Sequence, residues 1–135
     1  MRLGLLLLPA ALLLAAGSVR AQTVAVLQGL DKITARISKF DAPVGRAVRF
    51  GRLVITVQAC VKHPPEEEPE SAAFLQIDEM RQGENNAAVA QRVFNGWMFA
   101  SSPALSAMEN PIYDIGVLDC KTDTTSAPAS GSPGK

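Results

Sequence analysis

The sequence predicts a small, mainly β single domain, a sandwich or partly open barrel of about six or seven strands with one short helix. Three observations predict it. Apolar and polar residues alternate with a period of two in several short runs, the run LVITVQACV is dense in β-branched side chains, and turn-forming stretches separate the runs. One compact domain with a modest core is what the length from Gln22 to Lys135 supports.

Residues 1–21 stand apart from that domain. Met1-Arg2 precedes an unbroken apolar run from Leu3 to Gly17, shorter than the roughly 20 apolar residues a membrane span needs. A charged start, an apolar middle and small residues before Gln22 match a cleavable secretory signal, cut between Ala21 and Gln22. No cysteine directly follows the apolar run to carry a lipid, and no membrane span is expected once the signal is removed.

The elements of the domain, 22–120, follow in order. Lys32 to Ser38 (KITARIS) alternates and reads as a strand with one wet face. Asp41 to Gly45 has the composition of a loop. Ala47 to Phe50 is a short strand turned by Gly51, and Leu53 to Val61 reads as a central strand covered on both faces. Ala72 to Met80 and Tyr113 to Cys120 alternate more weakly, and Arg81 to Asn86 reads as a loop. Ser102 as an N-cap, with Pro103 at the first helical position, opens a helix of one or two turns that Asn110-Pro111 stops. Leu105 and Met108, three apart, are expected to share its buried face. Residues 121–135 are rich in Ser, Thr, Pro and Gly, and read as a disordered tail.

Composition narrows function more by exclusion than by indication. Arg2 and Arg20 leave with the signal, so the remainder carries two more acidic than basic residues and has no general pull toward nucleic acid. Cys60 and Cys120 are the two cysteines, both in the exported part, where an even count points to one structural disulfide. A reactive thiol would need a C-x-x-C partner or an activating histidine. Pro64-Pro65-Glu66-Glu67-Glu68-Pro69-Glu70, beside the sole histidine, His63, lacks the spacing and the glycine of a calcium loop and reads as a solvated segment. No metal, cofactor or catalytic set is assigned. A hydrolase or thiol enzyme built on Cys60, His63 or Asp114 is the minority reading, because nothing in the sequence makes those groups converge.

Arg92 to Pro103 carries the one candidate surface. Asn95-Gly96 is the preferred pair for a two-residue hairpin turn. Such a turn sets Phe94 opposite Trp97 and Arg92 opposite Phe99, all four on one face, with Val93 and Met98 on the other. That patch is either a contact surface for an envelope protein or small ligand, or an aromatic core with Arg92 reaching to water. With only seven aromatic residues in the chain, the core has the first claim on it.

The stretches LQGLDK and TAR, PVG, FG with Leu53, CVK followed by PPE, ESAAF, RVF, GWMFASSP with Leu105, PIYD and LDC together resemble an exported bacterial family, the domain of unknown function numbered 2155. The resemblance runs through almost all of the domain and leaves out the signal and the tail. It implies a bacterial envelope protein of the periplasm, and it supplies no catalytic residues. The expected function is therefore a non-catalytic periplasmic interaction or envelope-maintenance module, with a small-ligand-binding domain as the alternative.

Overall fold

Hydrogen bonding between runs of alternating burial arranges residues 21–123, the part the computed structural model describes, into seven strands in two sheets. They are β1 (Gln22–Asp31), β2 (Arg36–Pro43), β3 (Ala47–Phe50), β4 (Leu53–Lys62), β5 (Ser71–Gln82), β6 (Ala88–Phe99) and β7 (Tyr113–Asp123). One sheet has the order β2-β1-β7 and the other β3-β4-β5-β6, with every pairing antiparallel. The two sheets do not close into a barrel, so the predicted mainly β fold is realised as an open sandwich. The chain crosses between sheets at the turn after β2, where Val44 N donates to Thr23 O (3.0 Å) and Gly45 N to Val57 O (2.8 Å). Residues 1–20, which make up all but the last residue of the expected signal, and Thr124 to Lys135 lie outside the described residues; Ala21 and Gln22, the expected cleavage point, are exposed at the start of β1.

The core lies between the sheets. Ala25 and Leu27 of β1 meet Leu53, Ile55 and Val57 of β4, Ala73, Leu75 and Ile77 of β5, and Ile115 and Val117 of β7. Burial follows the period of two: β5 alternates along its buried length, and β4 buries Leu53, Ile55 and Val57 while Val54 and Thr56 stay half-exposed. β4 is central in its sheet but covered on one face only, which corrects the expectation of two covered faces.

Several further boundaries differ from the sequence reading. Lys32 to Ala35 is a turn, because the Asp31 carboxylate accepts hydrogen bonds from Ile33 N (2.9 Å) and Thr34 N (3.1 Å) and Ala35 takes a φ of 57°. The alternation seen there belongs to β2, whose Ile37 faces solvent, and Asp41 to Pro43 continue that strand where a loop was expected. β1 was not marked by sequence pattern at all, yet it pairs with both β2 and β7. β7 runs on to Asp123, three residues past the boundary expected at Cys120. The short helix is a 3-10 turn, Pro103–Ser106, without a side-chain cap from Ser102; Met108 is 3% exposed but Leu105 is 76% exposed, so the two do not share a buried face.

Two glycines are fixed by aromatic neighbours at one end of the sandwich. A Cβ on Gly29 would lie 2.6 Å from the Phe50 ring, and Gly51, at φ 57°, has the Tyr113 hydroxyl in the same relation. Phe50 stacks on Phe40 (5.5 Å between centroids) and meets Tyr113 edge-on (5.9 Å), while Tyr113 Oη accepts from Arg52 N (3.3 Å). Beside them Glu79, 4% exposed, accepts from Asn110 Nδ2 (3.0 Å) and pairs with Arg52 (3.5 Å) and Arg81 (3.2 Å). Asn110 Oδ1 in turn accepts from Ile112 N and Tyr113 N and starts β7.

Candidate functional site

Asn95 and Gly96 do not form a turn. They sit inside β6, paired with Gln76 and Leu75, and the strand continues through Trp97 to Phe99. The hairpin expected from this dipeptide is thereby corrected: a long partner, β5, offers eleven paired positions to β6, and that ladder outweighs the local turn preference of two residues.

The register redistributes the four predicted surface residues. A bulge at Val93 turns both Val93 and Phe94 toward the core, while Arg92 on its far side points outward. Phe94 therefore leaves the patch. Trp97 and Phe99 lie on the opposite, outer face of the four-stranded sheet, and Met98 between them is buried. Trp97 is 40% exposed, so the sole tryptophan is not a core residue, contrary to the reading that gave the core first claim on it.

What Trp97 joins is a graded face read row by row across the strands. Val61, Ala72 and Phe99 form one row, and Ala59, Phe74 and Trp97 the next, with the Phe74 and Trp97 rings meeting edge-on at 5.6 Å. Val61 is 54% exposed. The following row is polar, with Thr56, Gln76 and Asn95, and a bulge at Gln58 that lets its amide donate to Gln76 Oε1 (3.0 Å). The row after that carries charge: Arg49, Val54, Asp78 and Arg92, the last two ion-paired at 2.5 Å. Arg92 thus stays on the face of Trp97 but two rows from it, paired with a carboxylate rather than stacked on a ring. Val61, Ala72 and Phe74 were missed by the sequence reading; they come from strands remote in sequence, and only the register shows that they adjoin Trp97.

Polar groups from distant segments tie the aromatic end of the face in place. Cys60 of β4 and Cys120 of β7 form a disulfide that joins the two sheets, as the cysteine count predicted. Lys62 Nζ pairs with Asp119 Oδ1 (2.9 Å), which also accepts from the buried Ser71 hydroxyl (3.2 Å) and from Cys120 N (2.8 Å). The Lys62 ammonium, aided by Cys120 N–H, holds the Asp119 carboxyl below its ordinary range. Glu70 accepts from the Ser101 hydroxyl and from Ser101 N (3.1 Å), and these bonds, the hydroxyl first, lower its pKa in the same sense. Glu70 so clasps the β4–β5 loop to the end of β6.

Within that loop Pro64 to Pro69 is exposed, as read from the sequence. His63 Nδ1 lies 3.1 Å from Glu68 O and 3.6 Å from Glu67 Oε2. Asp114 lies on the other sheet, near the opposite end, so Cys60, His63 and Asp114 are not brought together. Among the described residues no group of three or more His, Cys, Asp and Glu side chains is placed to hold a metal ion. A hollow of about 430 Å³ lies beside the disulfide and is lined by Lys62, Lys121, Thr23 and Thr122. Among the described residues no helix is long and apolar enough to cross a membrane.

A family model described as "Uncharacterized protein conserved in bacteria (DUF2155)" matches residues 25–120, from β1 to the second cysteine. The chain is similar to an uncharacterized protein of Rickettsia prowazekii (strain Madrid E), 32% identical over 91 residues, a match covering 67% of this chain and 56% of that protein. The matched stretch thus spans little more than half the length of the relative. No solved structure matches the chain.

Proposed function

Because the chain belongs to the conserved bacterial family DUF2155, we propose that it is an exported, periplasmic and non-catalytic module that works by docking another protein on the outer face of its four-stranded sheet. The observation that carries this reading is the apolar block around Phe74 and Trp97, which faces solvent on a sheet whose other side already holds the core. A half-exposed tryptophan with Val61 and Phe99 beside it has the composition of the centre of a protein contact. The face is a sheet surface rather than a pocket, which favours a macromolecular partner over a small ligand.

Export is supported by the apolar leader before Gln22 and by the disulfide, which forms and persists in oxidising compartments. A non-catalytic role is supported by how the reactive side chains are used. Both cysteines are bridged, and the Ser101 hydroxyl is spent on Glu70.

The test is a photo-crosslinking residue at position 97 in the producing cells, with position 37 on the other sheet as control, combined with fractionation and intact mass. Expected are a periplasmic chain beginning at Gln22 and a discrete crosslink from 97 but not from 37. A cytosolic chain that keeps its leader contradicts the export, and equal labelling from both positions contradicts the docking face.

A further inference from the structure

We propose that the partner seated on this face is a second copy of the chain, packed sheet on sheet with its strands running the opposite way. The proposal rests on the docking reading above and names its occupant.

The argument is one of order along the strands. Phe74 and Trp97 lie midway between two belts of opposite charge on the same sheet. Four residues before Phe74, just ahead of β5, is Glu70, and beyond it the rest of the loop, bearing Glu66 and Glu68. Four residues after Phe74 is Asp78, in the row with Arg49 and Arg92. At about 3.3 Å per residue both belts begin roughly 13 Å from the aromatic row, in opposite directions.

The charges are available. Neither Glu66, Glu68 nor Arg49 has a side-chain partner among the described residues, whereas Asp78 and Arg92 neutralise each other. One belt is therefore net negative, and the other carries the uncompensated Arg49.

A two-fold axis through the Phe74–Trp97 row, perpendicular to the strands, satisfies both features at once. It lays Trp97 and Phe74 on their own counterparts, and it brings the glutamate loop of each copy over Arg49 of the other. Packing the copies with strands parallel would instead set glutamates against glutamates. The area approaches what a stable dimer needs: β4, β5 and β6, of ten to twelve residues each, with the four-residue β3 beside them, lie about 4.8 Å apart and present roughly 600 Å² of face, to which the flanking loops add. Stable interfaces bury about 800 Å² per partner, and sheets stack about 10 Å apart.

The experiment is sedimentation of the exported chain across a dilution series, for the native protein, W97D, E68R, R49E and the double variant E68R with R49E, each checked for a native circular dichroism spectrum. All three positions are on the surface, so folding should be retained. Expected is a reversible dimer, lost in W97D, weakened by roughly tenfold or more in E68R and in R49E, and recovered in the double variant, where the exchanged charges again face each other. A dimer indifferent to W97D, or a double variant no better than its parents, overturns the proposal, because the copies then meet elsewhere. A native chain that stays monomeric while position 97 still crosslinks to a different envelope protein overturns the second copy as occupant and leaves the docking reading standing. A monomer with no crosslink from 97 overturns both.

Discussion

Gly29 shows how a single residue can hold a sheet and an aromatic cluster to one geometry. Any side chain there meets the Phe50 ring, which is fixed between Phe40 and Tyr113 and cannot swing aside without loosening both. Gly29→Ala is expected to destabilise the domain by about 2 kcal/mol, read as a lower denaturant midpoint at unchanged slope. An unchanged midpoint would show that Phe50 yields without cost. Residue-level signals of this kind are only partly legible in sequence. Cys60 and Cys120 announced their bridge because a paired count in a chain read as exported has few other outcomes. Glu79 gave no such sign, since its burial depends on Arg52 and Asn110 arriving from two other segments to join Arg81 of its own strand.

At the scale of elements, the period of two found β3, β4, β5 and β7, while local turn chemistry misled in both directions. Asp31 closed a turn inside a stretch that alternates like a strand, whereas Asn95-Gly96 sat inside a strand although it is composed like a turn. The difference lies in partners: β6 has β5 beside it along its length, and Lys32 to Ala35 has no strand opposite. The face of Trp97 is a product of that pairing. Two bulges, at Gln58 and at Val93, set which side chains point outward, and a bulge has no reliable signature in one sequence. The clasp from Glu70 to Ser101 joins the β4–β5 loop to the end of β6, and its pH dependence has a definite sign. Its carboxyl, like that of Asp119, titrates below its unfolded value, so the stabilisation is present above the ordinary carboxylate range and is lost as pH falls through the lowered folded values. Glu70→Gln is expected to flatten the acid limb of stability against pH, and Asp119→Asn to flatten it further when combined. An acid limb as steep as that of the native chain would contradict the clasp.

For the whole molecule, two sheets of three and four strands are held by one core and one covalent link. The bridge joins residues 60 apart in sequence, and in the chain-entropy account such a link contributes about 4 kcal/mol. Reduction, or replacement of Cys60 and Cys120 by serine, is expected to lower the thermal midpoint by a margin on that scale while leaving the strand content intact below the transition. A midpoint indifferent to reductant would mean that the core alone carries the fold. With the core enclosed between the sheets, the aromatic rows on the outer face lie outside it, and that position is the basis for proposing them as a recognition surface. The most direct test is acrylamide quenching of the one tryptophan at high dilution. The account predicts red-shifted emission that quenches readily, with Trp97→Ala leaving the thermal midpoint nearly unchanged; blue-shifted emission that resists quenching, with a large loss of stability in the variant, would return Trp97 to the core and remove the docking face.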